Sequence, residues 1–264
     1  MQESRFNLAY DDLGGGLPVV LIHGFPLCRK MWRPQHTALS QAGFRSICPD
    51  LPGFGETPAA AGQASMACYA DAVVALLDQL NLERAIFGGM SMGGYVLLEL
   101  LERHIDRALA AMFCLTRAAA DDPAGKAKRT SLADAVSNGD FKVVPDTFSQ
   151  VLFAPQTTDE QPELVSEVQT WMQSTSVDGL VGGLLAMRDR RDFVDRLAGF
   201  DLPALVIGAE LDLAVPAEHA RLLAARLPQS TLAILPNAGH MANLEQPHAF
   251  NQAMLSFLAA FANC

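Results

Sequence analysis

Residues 87–95 read F-G-G-M-S-M-G-G-Y, which places one serine, Ser91, among four glycines and two methionines. A short apolar run at 85–88 precedes the serine, and a run with helical spacing follows at 94–102. The pattern G-x-S-x-G between a predicted strand and a predicted helix is typical of a strained turn that exposes a nucleophilic serine. We expect glycine two residues before and after the serine because larger side chains would collide there.

A flexible glycine-rich turn is the competing interpretation, since G-x-S-x-G also occurs by chance. Nucleotide binding is a further role of glycine-rich segments, but it requires other spacings. A dinucleotide fingerprint needs G-x-G-x-x-G, and a phosphate loop needs a lysine after its last glycine, where this chain has Gly94 and Tyr95. Both nucleotide interpretations fail, so no cofactor is expected.

Apolar runs of strand length alternate with helical patterns along most of the chain. The predicted strands lie at 18–22, 45–48, 85–88, 109–115, 204–208 and 232–235, and the predicted helices at 66–80, 94–102, 217–227 and 246–262. This order predicts an α/β fold with a mostly parallel sheet covered by helices on both faces. Gly14, Gly15 and Gly16 predict a hairpin turn between the first strands.

The alternation lapses between about residues 118 and 195, where helical pieces such as 131–136 and 163–174 are interrupted by turn-forming residues. We therefore expect one domain with an insertion, divided into a first core part at 1–117, a helical cap at 118–195 and a second core part at 196–264. Ligands of parallel sheets bind beyond the carboxyl ends of the strands, so the residues after each strand are the candidates for function.

The charge balance argues against several classes of partner. The 264 residues carry 19 Lys and Arg against 29 Asp and Glu, a net charge of -10 that repels nucleic acid and anionic membrane surfaces. The N-terminus lacks the pattern of a signal peptide, and no apolar run reaches the roughly 18 residues that span a bilayer. The expected partner is a small-molecule substrate, and the expected location is the cytoplasm.

The cysteines are five in number, scattered, and without a C-x-x-C pair. Neither a disulfide framework nor a metal site is therefore expected, and the side chains are predicted to be free thiols. They are Cys28, Cys48, Cys68, Cys114 and Cys264.

A nucleophilic serine needs a histidine base and a carboxylate that orients it, in the chain order Ser, Asp or Glu, His. His240 follows the last predicted strand directly and is the predicted base. His23 also follows a strand, but its Gly-Phe-Pro neighbours favour a role in stabilising a turn. The other four histidines fall in or beside helical patterns and are predicted to be surface or capping residues: His36, His104, His219 and His248.

Asp212, which follows the strand at 204–208, is the predicted carboxylate. Glu210 is a close rival, but the loop needs a few residues to turn back toward the histidine. Asp121 and Asp122 are geometric alternatives after the strand at 109–115. Acyl transfer also needs donors for an oxyanion, and the backbone N–H groups of Phe25 and Met92 are the candidates.

The cap is expected to set substrate size. Six of its apolar residues are candidates for a substrate pocket, although packing of the cap against the core is the stronger alternative for each: Phe141, Phe148, Phe153, Trp171, Met172 and Met187. Three arginines could meet a carboxylate substrate, but a solvated helix face is favoured: Arg188, Arg190 and Arg191.

Five motifs together resemble those of the α/β-hydrolase superfamily, and the resemblance covers nearly the whole chain outside the insertion. They are L-I-H-G-F-P at 21–26, P-D-L-P-G-F-G-E-T at 49–57, G-G-M-S-M-G-G at 88–94, G-A-E-L-D at 208–212 and A-G-H-M-A-N-L-E-Q-P at 238–247. The resemblance implies an eight-stranded, mostly parallel sheet with a helical cap between the sixth strand and the sixth core helix. Serine at the nucleophile position separates the chain from haloalkane dehalogenases and epoxide hydrolases, which use aspartate there.

The expected activity is hydrolysis of small to medium carboxylic esters through an acyl-enzyme. The resemblance leaves other serine-dependent relatives open, namely lactone and enol-lactone hydrolases, cofactor-free haloperoxidases or perhydrolases, and carbon-carbon bond hydrolases. A ligand-binding or signalling protein that keeps the triad is the alternative from a different class.

Overall fold

The computed structural model describes residues 6–60 and 62–262, and Cys264, one of the predicted free thiols, lies outside them. The strands of this part are β1 Tyr10–Leu13, β2 Pro18–Ile22, β3 Arg45–Pro49, β4 Ala85–Met90, β5 Ala108–Cys114, β6 Pro203–Ala209 and β7 Gln229–Leu235. Its α-helices are α1 Arg33–Gln41, α2 Met66–Gln79, α3 Met92–His104, α4 Pro123–Ser137, α5 Val143–Ser149, α6 Pro155–Glu160, α7 Pro162–Gln173, α8 Val177–Arg188, α9 Ala217–Arg226, α10 Ala242–Glu245 and α11 Pro247–Leu258. Short 3-10 helices occur at Arg29–Trp32, Ile105–Arg107, Val194–Gly199 and Ala259–Phe261.

The strands form one mostly parallel sheet in the order β1-β3-β2-β4-β5-β6-β7, with β1 antiparallel to β3. The predicted α/β architecture is confirmed, but the eight strands are not, because the described residues form seven. Ala9, directly before β1, is held by the loop after β3. The Ala9 N–H donates to Thr57 Oγ1 at 2.8 Å, and the Ala9 carbonyl accepts from the Asp50 N–H at 2.8 Å.

The hairpin predicted at the glycine triplet is wrong, because β1 pairs with β3 and not with β2, the next strand along the chain. The triplet instead runs beside the turn that joins α1 to β3. A Cβ on Gly14 would lie 2.5 Å from the Phe44 carbonyl oxygen, and Gly14 has a φ of 87°. The glycines there therefore serve a close approach between two loops.

The central strands bury both faces, since alternate side chains enter two separate apolar layers. Val20 and Ile22 of β2 pack with α2 and α3, whereas Val19 and Leu21 pack with α1 and α11. In residues 6–60 and 62–262, none of the helices is long and apolar enough to cross a membrane.

The five helices α4 to α8 lie between β5 and β6, and the predicted helical pieces at 131–136 and 163–174 fall within or nearly within α4 and α7. Two hydrogen bonds tie the start of α8 to the core loops. Thr175 Oγ1 donates to the Pro26 carbonyl at 2.9 Å, and Ser176 Oγ donates to the Gly53 carbonyl at 2.8 Å. The boundaries of the cap at 118 and 195 stay a prediction.

Candidate active site

Ser91 occupies a one-residue turn between the end of β4 and the start of α3. Its φ of 53° and ψ of -114° fall in a region that residues with a side chain rarely adopt. A Cβ on Gly89 would lie 2.3 Å from the Gly93 carbonyl oxygen, and one on Gly93 would lie 2.2 Å from the Ile22 carbonyl oxygen. The predicted reason for these two glycines is thereby confirmed, and the turn is tight instead of loose.

The end of β5 holds this turn in place. The Ser91 N–H donates to the Cys114 carbonyl at 3.0 Å, and Thr116 Oγ1 donates to the Ser91 carbonyl at 2.7 Å. Both main-chain groups of the serine are therefore satisfied by its neighbours. The Ser91 hydroxyl donates no hydrogen bond within the described residues, which leaves it available to a substrate or a base.

Asp212 and His240 lie in the loops that follow β6 and β7, and they form a buried pair. The Nδ1 of His240 lies 2.7 Å from Oδ2 of Asp212, and the two side chains are 5% and 0% exposed. The other carboxylate oxygen, Oδ1, accepts from the N–H groups of Ala214 and Val215 at 2.8 Å each. Because a carboxylate oxygen accepts hydrogen bonds, we assign the imidazole proton to Nδ1, which leaves Nε2 as the acceptor.

Strand order brings the serine and this pair to the same edge of the sheet. The strands β4, β5, β6 and β7 are parallel neighbours, so the loops after them converge at their carboxyl ends. Among the hydrogen bonds of the described residues there is none between the Ser91 hydroxyl and Nε2 of His240. Such catalytic contacts are often long in unliganded structures and tighten when substrate binds.

The loop from His23 to Pro26 lies against the serine turn. A Cβ on Gly24 would lie 3.4 Å from the Ser91 Cβ. Met92 is the first residue of α3, where N–H groups lack partners within the helix. Within residues 6–60 and 62–262, neither the Phe25 N–H nor the Met92 N–H donates a hydrogen bond, so two donors remain free beside Ser91.

The rival groups considered from the sequence have other partners. The Nε2 of His23 accepts from the Leu51 N–H at 3.0 Å, and Nδ1 contacts the Gly24 carbonyl at 2.9 Å, in agreement with a turn-stabilising role. Burial lowers the pKa of His23 and keeps it neutral. Glu210 is exposed, and Asp122 caps α4 by accepting from the Gly125 N–H at 2.7 Å.

Asp121 belongs to an ion-pair cluster at the base of the helices between β5 and β6. Its carboxylate accepts from Arg117, Arg129 and Arg190. Burial alone would raise the pKa of Asp121, but the hydrogen bonds from Arg190 and Arg129 outweigh burial and hold this pKa well below its usual range.

The solvated helix face predicted for three arginines is wrong for Arg190. Its side chain is 3% exposed, and its guanidinium lies 4.3 Å from the centre of the Tyr95 ring. Arg191 pairs with Glu99 across the base of the insertion, whereas Arg188 pairs with its neighbour Asp189. Each of the three arginines therefore has an acidic partner within the protein.

The six apolar residues that are candidates for the substrate pocket lie in different surroundings. Phe141 is 54% exposed, so its ring does not line a buried pocket. Phe148 is half-buried, and its ring centre lies 5.3 Å from that of Phe25, which places it beside the candidate oxyanion loop. The other four are buried in the apolar layers and pack the insertion: Phe153, Trp171, Met172 and Met187.

Glu245 is a functional candidate to which sequence reasoning assigned no role. It is 4% exposed, and its carboxylate accepts four hydrogen bonds. Oε1 accepts from the N–H groups of Gly239 and Met241, at 3.0 and 3.1 Å, on either side of His240. Oε2 accepts from the Ala154 N–H at 2.8 Å and from Thr157 Oγ1 at 2.6 Å. This four-donor contact, called the Glu245 clamp below, joins the histidine loop to the insertion.

We expect Glu245→Gln to lower both stability and activity. A glutamine has one acceptor oxygen in place of two, so at least one buried backbone N–H, of Ala154 or Gly239, faces the amide NH₂ group without an acceptor, at a cost of about 2–4 kcal/mol for the two unpaired donors. For a chain of this size we expect the melting temperature to fall by roughly 5–10 °C, which a calorimetric melt would measure. We also expect kcat to fall by about tenfold, because small displacements of a catalytic base are costly.

Glu163→Gln is the matched control for this prediction, because Glu163 is an exposed glutamate of the same insertion. It should leave the melting temperature and kcat unchanged. A Glu245→Gln protein with the parental melting temperature and kcat would contradict the clamp.

Comparisons with known proteins identify the family and the fold. A family model described as alpha/beta hydrolase fold matches residues 18–247. Among solved structures, the chain is similar to an esterase from Thermogutta terrifontis with malate bound, at 35% identity, a TM-score of 0.93 and coverage of 96% of this chain and 93% of that chain. It is also similar to the enol-lactonase from Burkholderia xenovorans LB400, at 26% identity, a TM-score of 0.88 and coverage of 97% and 98%. A bromoperoxidase from Bacillus anthracis matches at 27% identity, a TM-score of 0.86 and coverage of 96% of each chain.

Proposed function

The chain belongs to the alpha/beta hydrolase fold family, and from that premise we propose that it hydrolyses small to medium carboxylic esters with Ser91, His240 and Asp212. The observation that carries the proposal is the buried contact of 2.7 Å between His240 and Asp212, at the sheet edge to which the strained Ser91 turn belongs. A hydroxyl, a base and a carboxylate in this order are the parts that acyl transfer requires.

In the first half of the reaction, the Ser91 Oγ attacks the carbonyl carbon of the ester while Nε2 of His240 takes the hydroxyl proton. The carbonyl π electrons move onto oxygen and form a tetrahedral intermediate. When the intermediate collapses, the bond between the acyl carbon and the alcohol oxygen breaks, and the proton on Nε2 passes to the departing alcohol. The product on the enzyme is an ester of Ser91.

In the second half, Nε2 of His240 takes a proton from water as the water oxygen attacks the acyl carbon. Collapse of the second intermediate returns the proton to the Ser91 Oγ and releases the acid. Asp212 stabilises the imidazolium that forms in each half. The free N–H groups of Phe25 and Met92 would donate to the oxyanion, a role in which each donor contributes about 3 kcal/mol.

Lactone hydrolysis is the second candidate, and it uses the same steps because a lactone is a cyclic ester. The similarity to an enol-lactonase at 26% identity favours including it. In a lactone the leaving alcohol stays attached to the acyl group, so the site must hold both ends of the opened ring. The two substrate classes therefore require pockets of different shape, but both use the triad in the roles proposed above.

The test is covalent labelling of the serine followed by a substrate series. We expect a fluorophosphonate to add one label per chain, on the peptide that contains Ser91, and to abolish hydrolysis in proportion to labelling. Mass spectrometry of the digested protein locates the label. A series of acyl esters of increasing length, lactones and thioesters, measured beside the labelled protein, then identifies the preferred class.

Two results would overturn the proposal. One is full labelling at Ser91 with unchanged ester hydrolysis, which would place the chemistry elsewhere. The other is tight binding of an ester without an initial burst of released alcohol or steady turnover, which is the behaviour of a ligand-binding protein.

A further inference from the structure

A cavity of about 260 Å³ lies between α4, α5 and the loop that follows β6. Its wall carries three cations and several apolar side chains. The cations are Arg117, Lys128 and Arg129, and the apolar residues include Phe148, Val151 and Leu213. The cavity is therefore suited to a short apolar chain that ends in a negative charge.

Two pairs of neighbours along the chain and one ring contact place this cavity beside the candidate active site. Arg117 directly follows Thr116, whose hydroxyl donates to the Ser91 carbonyl at 2.7 Å. Leu213 directly follows Asp212, which pairs with His240. The Phe148 ring lies 5.3 Å from that of Phe25. Each wall of the cavity is thus one residue or one ring contact away from a part of the proposed machinery.

The cations of the cavity outnumber its acids. Asp121 is the one carboxylate among the lining residues, and it is already shared by Arg117, Arg129 and the buried Arg190. The Arg117 Nε is buried without a hydrogen-bond partner. Lys128 is exposed and makes no ion pair in the described part of the chain.

The nearby Asp212 forms no ion pair with these cations among the described residues, and its oxygens instead contact the His240 Nδ1 and two backbone N–H groups. A buried guanidinium donor without an acceptor is costly, and a planar carboxylate is a good partner for it. The cavity therefore has a guanidinium donor that an anion could satisfy, and apolar side chains that could contact the rest of the ligand.

We propose that this cavity binds a carboxylate carried by the substrate, so that the preferred substrates are half-esters of short dicarboxylic acids or lactones that carry a free carboxylate. The inference rests on the proposed function for the site of bond cleavage. The ester carbonyl lies at Ser91, the connecting methylene groups lie against Phe148 and Leu213, and the free carboxylate lies among Arg117, Lys128 and Arg129.

The test compares two ethyl esters of the same shape. Monoethyl glutarate carries a free carboxylate, and ethyl 5-methylhexanoate carries an isopropyl group in its place. We expect the wild-type protein to favour the anionic ester in kcat/KM, and Lys128→Glu to lower the ratio of the anionic to the neutral ester by about tenfold, since it reverses a charge at short range. Lys128→Gln should lower the ratio by a smaller factor.

Lys126→Glu is the matched control. It makes the same charge change on an exposed residue of α4 that does not line the cavity. The ratio should stay at the wild-type value in this control, and 0.5 M salt should reduce the difference between the two variants. A ratio that falls equally in both variants, or in neither, overturns the carboxylate site.

A binding measurement separates failure of this inference from failure of the proposed function. If the protein hydrolyses neither ester, the proposed function fails. Glutarate binding to the Ser91→Ala protein then tests whether the cavity binds a carboxylate. Calorimetry should then show glutarate binding that weakens by about tenfold with Lys128→Glu and not with Lys126→Glu. No glutarate binding, or equal binding in both variants, overturns the inference.

Discussion

Ser91→Ala is expected to lower kcat/KM for carboxylic esters by a factor of roughly 10³ to 10⁶, because loss of the nucleophile leaves only the binding site and the oxyanion donors. The substitution removes a hydroxyl that makes no hydrogen bond with the described residues, so folding does not depend on it. Initial rates with an ethyl or 4-nitrophenyl ester, measured on protein of the parental melting temperature, check this expectation.

Ser166→Ala is a matched control, since it removes an exposed serine hydroxyl from α7. It should keep the parental rate. Ester hydrolysis by the Ser91→Ala protein at the parental rate would show that the strained turn is not the site of attack. Retained ligand binding with loss of hydrolysis is the result that the proposed mechanism requires.

Asp212→Asn is expected to lower kcat by roughly 10³ to 10⁴ through the tautomer of His240. The asparagine carbonyl can satisfy the N–H groups of Ala214 and Val215, which leaves its NH₂ group facing Nδ1 of the imidazole. A donor in that place favours a proton on Nε2, where the mechanism needs a free acceptor. Single-turnover kinetics with a 4-nitrophenyl ester would place the loss in the acylation step.

Glu210→Gln is the control for this prediction, because it makes the same chemical change two residues earlier. Glu210 is exposed, so its replacement should leave kcat within about twofold of the parental value, as for most surface substitutions. If Glu210→Gln lost activity and Asp212→Asn kept it, the roles of the two acids would have to be exchanged.

The strands that carry the site could be predicted because they are buried on both faces. β2, β4 and β6 are continuous apolar runs that are each followed by a polar residue, so each carboxyl end could be located to within about two residues. The two edge strands give a weaker signal. β1 is exposed throughout, and β7 is exposed at Gln229, Thr231 and Leu232, so its first residues were not predicted.

The sequence does not reveal those polar side chains of the site whose hydrogen-bond partners are distant along the chain. The order of serine, aspartate and histidine can be found in the sequence because each follows an apolar run. Glu245 cannot be found in this way, since nothing in A-N-L-E-Q-P distinguishes a buried acceptor of four hydrogen bonds from a solvated glutamate. The burial of Arg190 cannot be predicted from the sequence either, because its partner Asp121 is 69 residues away in sequence.

The Glu245 clamp has a mechanical consequence for how the site can open. One carboxylate supports the backbone on both sides of His240 and also holds Ala154 and Thr157 at the start of α6. A swing of the insertion about this point would displace His240, the proposed general base, so the insertion is expected to stay in place at α6 while the proposed reaction takes place. Substrate is therefore expected to enter without separation of α6 from the loop that carries His240.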